Sequence, residues 1–300
     1  MKALIDKLKP MQIDKNHSGV LAENVESMVG KTVVVKFGGS ALIDPERKEA
    51  LISEVVALAH AGIKLIVVHG GGPAINEALR VIGKKTEKVQ GLRITDDETI
   101  GVIVEVLSSV NKELAEKFEA NGVKALSVCA EQNNIFTTEK LVLQDEEGKP
   151  VDLGWVGKID GVDLFAISRS LEAGYMPVVA PIGMDSDFNL YNLNADHAAL
   201  AIATAIKAES LVFLTDVPGV LKDVTDLASR FASLSIDAVP AFIKDGTISG
   251  GMLPKINSCV AGIEKGVHKI SIVDGRQKHA LLNGIFAPQE VGTLISGVSA

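Results

Sequence analysis

The 300-residue sequence predicts an α/β protein, a three-layer α/β/α sandwich on an open, mostly parallel sheet. Three observations predict it. After residue 30, short β-branched runs alternate with longer helical stretches. The runs are apolar throughout instead of alternating, as strands covered by helices on both faces must be. Aromatic residues make up only 4 % of the chain, so the core has to be assembled from Val, Ile, Leu and Ala.

The first thirty residues stand apart. Leu4, Ile5 and Leu8 form an apolar stripe that Pro10 interrupts, and Leu21, Val25 and Met28 resume it before Gly30. They read as a helical arm, packed on its own domain or on another subunit. Strands are predicted at 32–37, 64–68, 124–128, 176–180, 211–215 and 269–273. Helices are predicted at 45–60, 96–120, 196–208 and 254–265. The first of these places Leu51, Val55, Leu58 and Ala59 on one side, and the second is capped by Thr95 or Asp96 and ended by Asn121-Gly122. Residues 87–95 and 135–155 read as β-hairpins, and 191–193 closes another that begins near Pro181. Hairpins at the end of a parallel sheet form walls or lids over ligands. The expected organisation is the arm (1–30) followed by one continuous-sheet domain with two lobes, 31–180 and 181–300.

Composition narrows the function. The formal net charge of −8 argues against nucleic-acid and anionic-membrane partners. Any phosphate-binding residues should therefore be few, local and turned inward. The two cysteines, Cys129 and Cys259, sit alone in apolar surroundings, and no CxxC or His/Cys cluster suggests zinc. No apolar run approaches the ~20 residues of a membrane span. The first thirty residues lack a signal-peptide core and carry Asp6, Asp14, Glu23 and Glu26, so a cytoplasmic protein is expected.

Four constellations carry candidate chemistry. Lys36-Phe37-Gly38-Gly39-Ser40 ends the first strand. A lysine at the end of a buried strand calls for an anion, and two glycines let the backbone approach one; a tight turn with a snorkelling lysine is the alternative. His69-Gly70-Gly71-Gly72-Pro73 places three glycines before a helix, an anion cradle of backbone N–H groups that is neither a P-loop nor a Rossmann fingerprint. In Tyr191-Asn192-Leu193-Asn194-Ala195-Asp196, an extended backbone puts Asn192, Asn194 and Asp196 on one face. Helix capping would account for Asp196 but not for both asparagines. Gly250-Gly251-Met252-Leu253-Pro254-Lys255 opens a helix with a lysine set against the macrodipole, as a plain surface lysine or one with an anion between it and the helix end. Arg93, in Gly91-Leu92-Arg93, suits bidentate binding of a carboxylate if it is not solvated. Thr215 to Val220 either shapes a nucleotide pocket or merely ends a strand.

Together KFGG, HGGGP, GLRIT, NLNAD, TDVPGV, GGMLPK and IVDGR, in that order and spacing, resemble the amino acid kinase family, and within it the acetylglutamate kinases, from residue 31 to 295. The resemblance implies the same sandwich, with a hairpin lid over an acyl substrate bound by the N-terminal half and ATP bound by the C-terminal half. It implies transfer of the γ-phosphoryl of ATP, with Mg2+, to the side-chain carboxylate of N-acetyl-L-glutamate, a step of arginine biosynthesis. By position, Lys36 and Lys255 would stabilise the transferring phosphoryl group and Asp196 would orient them. Gly38, Gly39, Gly71 and Gly72 would supply backbone donors. Arg93 and Asn192 would hold the α-carboxylate. Thr215, Asp216, Gly219, Val220, Leu221 and Ser249 would line the nucleotide site.

The same resemblance implies a homodimer or hexamer and arginine as an effector, with the N-terminal arm, His279 and Glu290 as the residues concerned. The segment from His279 to Gly284 departs from the family's leucine run ending in glutamate, and the hairpin 135–155 has no evident counterpart. Two alternatives stay open from sequence. One is a kinase of the same family acting on acetylaminoadipate, because one methylene is worth only ~1–3 kcal/mol of discrimination. The other is a non-catalytic ligand-binding regulator on the same fold.

Overall fold

The computed structural model describes residues 24–144 and 147–297. Most of the expected arm lies outside the described residues. Its last part, 24–28, is helical, with Val25 and Met28 buried.

The chain then builds β1 (Thr32–Phe37), α1 (Pro45–His60), β2 (Lys64–His69), α2 (Gly72–Val81), β3 (Lys88–Val89), β4 (Leu92–Arg93) and α3 (Asp97–Ala120). Next come β5 (Ala125–Val128), α4 (Ala130–Asn133), β6 (Phe136–Gln144), β7 (Pro150–Val162), α5 (Leu164–Glu172), β8 (Met176–Val179), β9 (Ile182–Met184), β10 (Leu190–Asn192) and α6 (Ala195–Ala205). It finishes with β11 (Ser210–Thr215), β12 (Ser233–Ser235), α7 (Val239–Lys244), α8 (Met252–Glu264), β13 (Lys269–Asp274), α9 (Ala280–Phe286), α10 (Pro288–Val291) and β14 (Gly292–Ser296).

Eight strands form the main sheet in the order β12-β14-β13-β11-β1-β2-β8-β5. Every neighbouring pair is parallel except β13–β14. Strand β1 shows why the predicted runs are apolar on both sides. Val33, Val35 and Phe37 pack into the core under α1 and α9, while Val34 packs with Ala198, Ile202 and Ile256 of α6 and α8. Period-two geometry then sends Lys36 to the α6/α8 side, at the C-terminal end of a central strand. This is the edge of a parallel sheet where ligands bind.

The three hairpins depart from the main sheet. Strands β3 and β4 pair antiparallel over the sheet's C-terminal edge. Strands β6, β7, β9 and β10 close into a small four-stranded barrel. The second hairpin runs on to Val162, past the expected end at residue 155. Its last stretch hides from sequence because Gly157 and Gly161 dilute the strand signal. Gly157 is needed there: a Cβ would lie 2.5–2.8 Å from Thr138, Tyr191 and Leu193 inside the narrow barrel. Helix α5 and the short strands β12 and β14 are not legible from sequence either: α5 and the edge strand β12 are brief and half-exposed, and β14, though largely buried between β12 and β13, is only five residues long.

Candidate active site

The C-terminal ends of β1, β2 and β11, the hairpin β3–β4 and the starts of α2, α6 and α8 surround a cleft of about 460 Å3. Its lining includes the cations Lys36, Lys88, Arg93 and Lys255, against the carboxylates of Asp196 and Asp216. In a chain of net charge −8 this is a locally cationic hollow, the inward arrangement the acidic composition requires.

Its centre is Asp196. Lys36 Nζ lies 2.8 Å from Oδ1 and Lys255 Nζ lies 2.8 Å from Oδ2. The Oδ1 contact is an ion pair outside hydrogen-bond geometry. Burial works to raise the Asp196 pKa, but the two ammonium groups outweigh it and hold the carboxyl well below the usual range. The arrangement follows from local sequence. Asn194 caps α6 through Oδ1, accepting the N–H groups of Asp196 and His197, so Asp196 is spared for the lysines. Lys255 leaves the first turn of α8 and runs 5.1 Å from the Phe213 ring.

Two backbone approaches shape the floor. Gly38 donates its N–H to Leu214 O at 2.9 Å, and a Cβ there would come within 2.6 Å of that oxygen. Gly71 opens α2 without a side-chain cap, and a Cβ on it would collide with Leu107. The N-terminus of α2 thus presents unsatisfied N–H groups to the cleft.

Arg93 is buried on β4. Its Nη2 donates to Asn76 Oδ1, whereas Nη1 is buried without a partner. Burial pulls its pKa down, the expected response of a guanidinium lacking a counter-anion. An orphaned buried guanidinium nitrogen in a cleft is a site for an anionic oxygen. Across the cleft, Asn192 donates Nδ2–H to Thr95 Oγ1 at 3.3 Å.

Lys36, Gly38, Gly71, Gly72, Arg93, Asn192, Asp196, Thr215, Asp216 and Lys255 line the cleft together. Gly39, Gly219, Val220, Leu221 and Ser249 do not. Gly39 starts a short 3-10 turn directly after Gly38. Gly219 packs on Thr293, whose Oγ1 also accepts the Val220 N–H at 2.9 Å, and Val220 itself is buried. Leu221 bridges to Arg230, and Ser249 is exposed. Asn194, which the sequence places on one face with Asn192 and Asp196, lines the cleft as expected and serves as the cap of α6, whereas Asn76 and Thr95 are not singled out by sequence as site residues. Of the two caps the sequence offers, Thr95 and Asp96, it is Asp96 that caps α3, and the Thr95 hydroxyl is bonded to Arg93 O and Asn192 instead. Period two from Arg93 along GLRIT would have pointed to it.

His69 is fully buried, its pKa is lowered by burial to about 4, and its ring nitrogens meet Gly70 O and Asn111 Nδ2 at 3.1 Å each, the contacts of a histidine that braces the turn. Among the described residues, no group of three or more His, Cys, Asp or Glu could hold a metal ion, and no helix is long and apolar enough to cross a membrane.

The amino acid kinase family profile matches residues 31–274. An acetylglutamate kinase of Brachyspira hyodysenteriae is 43 % identical over 271 residues, covering 90 % of this chain and 92 % of the relative. One from Heliobacterium modesticaldum is 41 % identical over 286 residues, covering 93 % and 97 %. Among solved structures, N-acetylglutamate synthase of Neisseria gonorrhoeae superposes with a TM-score of 0.82 at 23 % identity, spanning 96 % of this chain and 65 % of that one. Carbamate kinase of Giardia lamblia gives 0.62 at 16 % identity, spanning 90 % of this chain and 99 % of that one. The two structural likenesses speak for the fold alone. With the sequence profile and the two relatives they agree with the geometry of the cleft: this chain belongs to the amino acid kinase family.

Proposed function

We propose that this protein transfers the γ-phosphoryl group of ATP to the side-chain carboxylate of N-acetyl-L-glutamate, giving N-acetyl-L-glutamyl 5-phosphate and ADP. The observation that carries the proposal is the Asp196 carboxylate held between Lys36 and Lys255 in one cleft with the unpartnered, buried Nη1 of Arg93. The relatives named acetylglutamate kinase favour the shorter acid over acetylaminoadipate.

The chemistry asks little of acid–base groups. A glutamate-like carboxylate with a pKa of ~4.3 is already ionised at neutral pH, so no base has to activate it. The obstacle is the approach of one anion to another, and the remedy is positioning and charge stabilisation. Lys36 comes from the first half of the main sheet and Lys255 from a helix of the second, so they can reach opposite sides of the transferring group. Asp196 keeps both ammonium groups pointed inward before the substrates arrive. Backbone N–H groups at Gly71 and Gly72 add donors without side-chain bulk.

Arg93 and Asn192 hold the α-carboxylate, with β3–β4 acting as the lid. The lobe 31–180, joined by Asn192 from the second lobe, binds the acyl substrate, and 181–300 binds the nucleotide, with Thr215 and Asp216 in the cleft and the 219–221 and 247–249 segments outside it, farther along the nucleotide. Of the two carboxylates lining the cleft, Asp196 is already engaged by both lysines and Asp216 is the one left to face a cation, so Mg2+ would enter as part of Mg-ATP with Asp216 as the residue able to support it. When bound, it neutralises phosphate charge. A homo-oligomer and inhibition by arginine belong to the same reading. Size measurement and arginine titration test them.

The test is an assay of purified protein with Mg-ATP and hydroxylamine, which traps an acyl phosphate as a hydroxamate. The panel comprises N-acetylglutamate, acetylaminoadipate, glutamate, aspartate and UMP, with ADP release read in parallel. Hydroxamate with N-acetylglutamate alone is the expected result. ATP binding without turnover on any substrate would overturn it.

A further inference from the structure

Between the two residues proposed to hold the α-carboxylate sits a third that does not face the ligand. Thr95 is fully buried. Its hydroxyl donates to Arg93 O at 2.8 Å and accepts from Asn192 Nδ2 at 3.3 Å. A threonine hydroxyl has one hydrogen. Because that hydrogen is committed to the Arg93 carbonyl, the oxygen can only accept toward Asn192. The Asn192 amide must then turn its nitrogen to Thr95, since the flipped orientation would bring two acceptors together. One N–H and the carbonyl oxygen of that amide are left for the cleft. An acceptor and a donor side by side complement a carboxylate next to an amide N–H, the pair carried by an N-acyl α-amino acid.

Thr95 is itself held from the other side. Its N–H donates to Leu153 O at 2.9 Å and its carbonyl accepts the Trp155 N–H at 2.6 Å. Between them Gly154 adopts φ +69°, and a Cβ there would collide with Thr95 O. Trp155 is anchored in turn by Nε1–H donation to Asp97 Oδ1 at 2.6 Å. The strand that carries Arg93 is thereby fixed to the barrel strand β7, and the barrel strand β10 that carries Asn192 is fixed to Thr95. The two substrate groups come from segments about a hundred residues apart in the chain, and their side chains bond to Asn76 and Thr95 rather than to each other.

We propose that Thr95 is a positioning residue for acyl-substrate recognition: its hydroxyl sets the orientation of the Asn192 amide and ties it to the Arg93 main chain, so that the two close on the α-carboxylate as one unit. This rests on the reading of Arg93 and Asn192 given above.

The experiment compares Thr95→Val, Thr95→Ala and Thr95→Ser with wild type and Arg93→Ala, measuring kcat and separate KM values for N-acetylglutamate and ATP, with circular dichroism on each protein. Losing the hydroxyl should raise the acyl KM about 10-fold while kcat and the ATP KM stay within about twofold, the expected weight of one buried hydrogen-bond link. Thr95→Ser should restore the acyl KM. An unchanged acyl KM in both hydroxyl-free variants, with Arg93→Ala still impaired, overturns the role of Thr95 and leaves the site reading standing. If Arg93→Ala is also unimpaired, the site reading itself fails. Loss of folding in both hydroxyl-free variants, or failure of serine to rescue, would make Thr95 a purely structural residue.

Discussion

Asn194 caps the helix that Asp196 enters: its Oδ1 accepts the Asp196 N–H at 2.8 Å, and that frees the Asp196 carboxylate from the capping duty an aspartate at a helix start usually performs. The division of labour between the two residues is what puts a bare carboxylate between two lysines. Replacing Asn194 by alanine should cost about 1 kcal/mol of stability. It should also lower kcat more than it alters either KM, because the turn carrying Asp196 loses its anchor. Thermal melts alongside steady-state kinetics check this, and an intact kcat would reduce Asn194 to a simple cap.

The lysines are expected to act on turnover. Lys36→Ala and Lys255→Ala should each lower kcat by about 100-fold or more, the scale of losing one donor to a developing charge. Near-normal turnover in either purified variant would remove that lysine from the mechanism. The double variant should not show the product of the two losses, since both ammonium groups share one carboxylate and one substrate group.

Arg93→Ala should raise the KM for N-acetylglutamate by more than about 10-fold with little change in the ATP KM, as removal of a charge-assisted contact made in ground and transition state alike would do. Kinetics with each substrate varied in turn decide it. A change confined to ATP would reassign Arg93 to the nucleotide.

Stability should carry a pH signature unrelated to catalysis. Glu54 on α1 is buried, and its carboxylate oxygen accepts the N–H groups of Leu281 at 3.1 Å and Leu282 at 3.0 Å at the start of α9. Burial raises its pKa from 4.5 to about 7, against those two hydrogen bonds. A raised folded-state pKa contributes stability fully below pH 4.5 and loses it as pH climbs through 7. His69, neutral in the fold, has the opposite slope below pH 6.5. The informative quantity is therefore the difference between wild type and Glu54→Gln. Glutamine keeps an acceptor for α9 but does not ionise, so the variant should gain about 1–3 kcal/mol relative to wild type between pH 5 and pH 8. Melts at the two pH values measure it. Equal changes in both proteins would mean that Glu54 does not titrate in that range.

Sequence by itself determined the sandwich and the ingredients of the cleft. Continuous apolar runs specified strands buried on both faces, and β1 and α1 have the expected limits because their end signals, Gly38 after Phe37 and Asp44-Pro45 before the helix, are local. Lys36, Asp196 and Lys255 were conspicuous as charges at apolar strand ends and helix starts. What only the tertiary structure decided depends on contacts between segments distant in the chain. The antiparallel β13–β14 pairing and the closure of β6, β7, β9 and β10 into a barrel are set by partners that no local pattern names. Nor could sequence tell that Gly219, Val220, Leu221 and Ser249 stand back from the cleft, or that Thr95 links Arg93 to Asn192. A side chain's chemistry is written at its own position, but its partner is chosen by the packing of the whole sheet, and a buried hydroxyl acquires its direction only once both partners are in place.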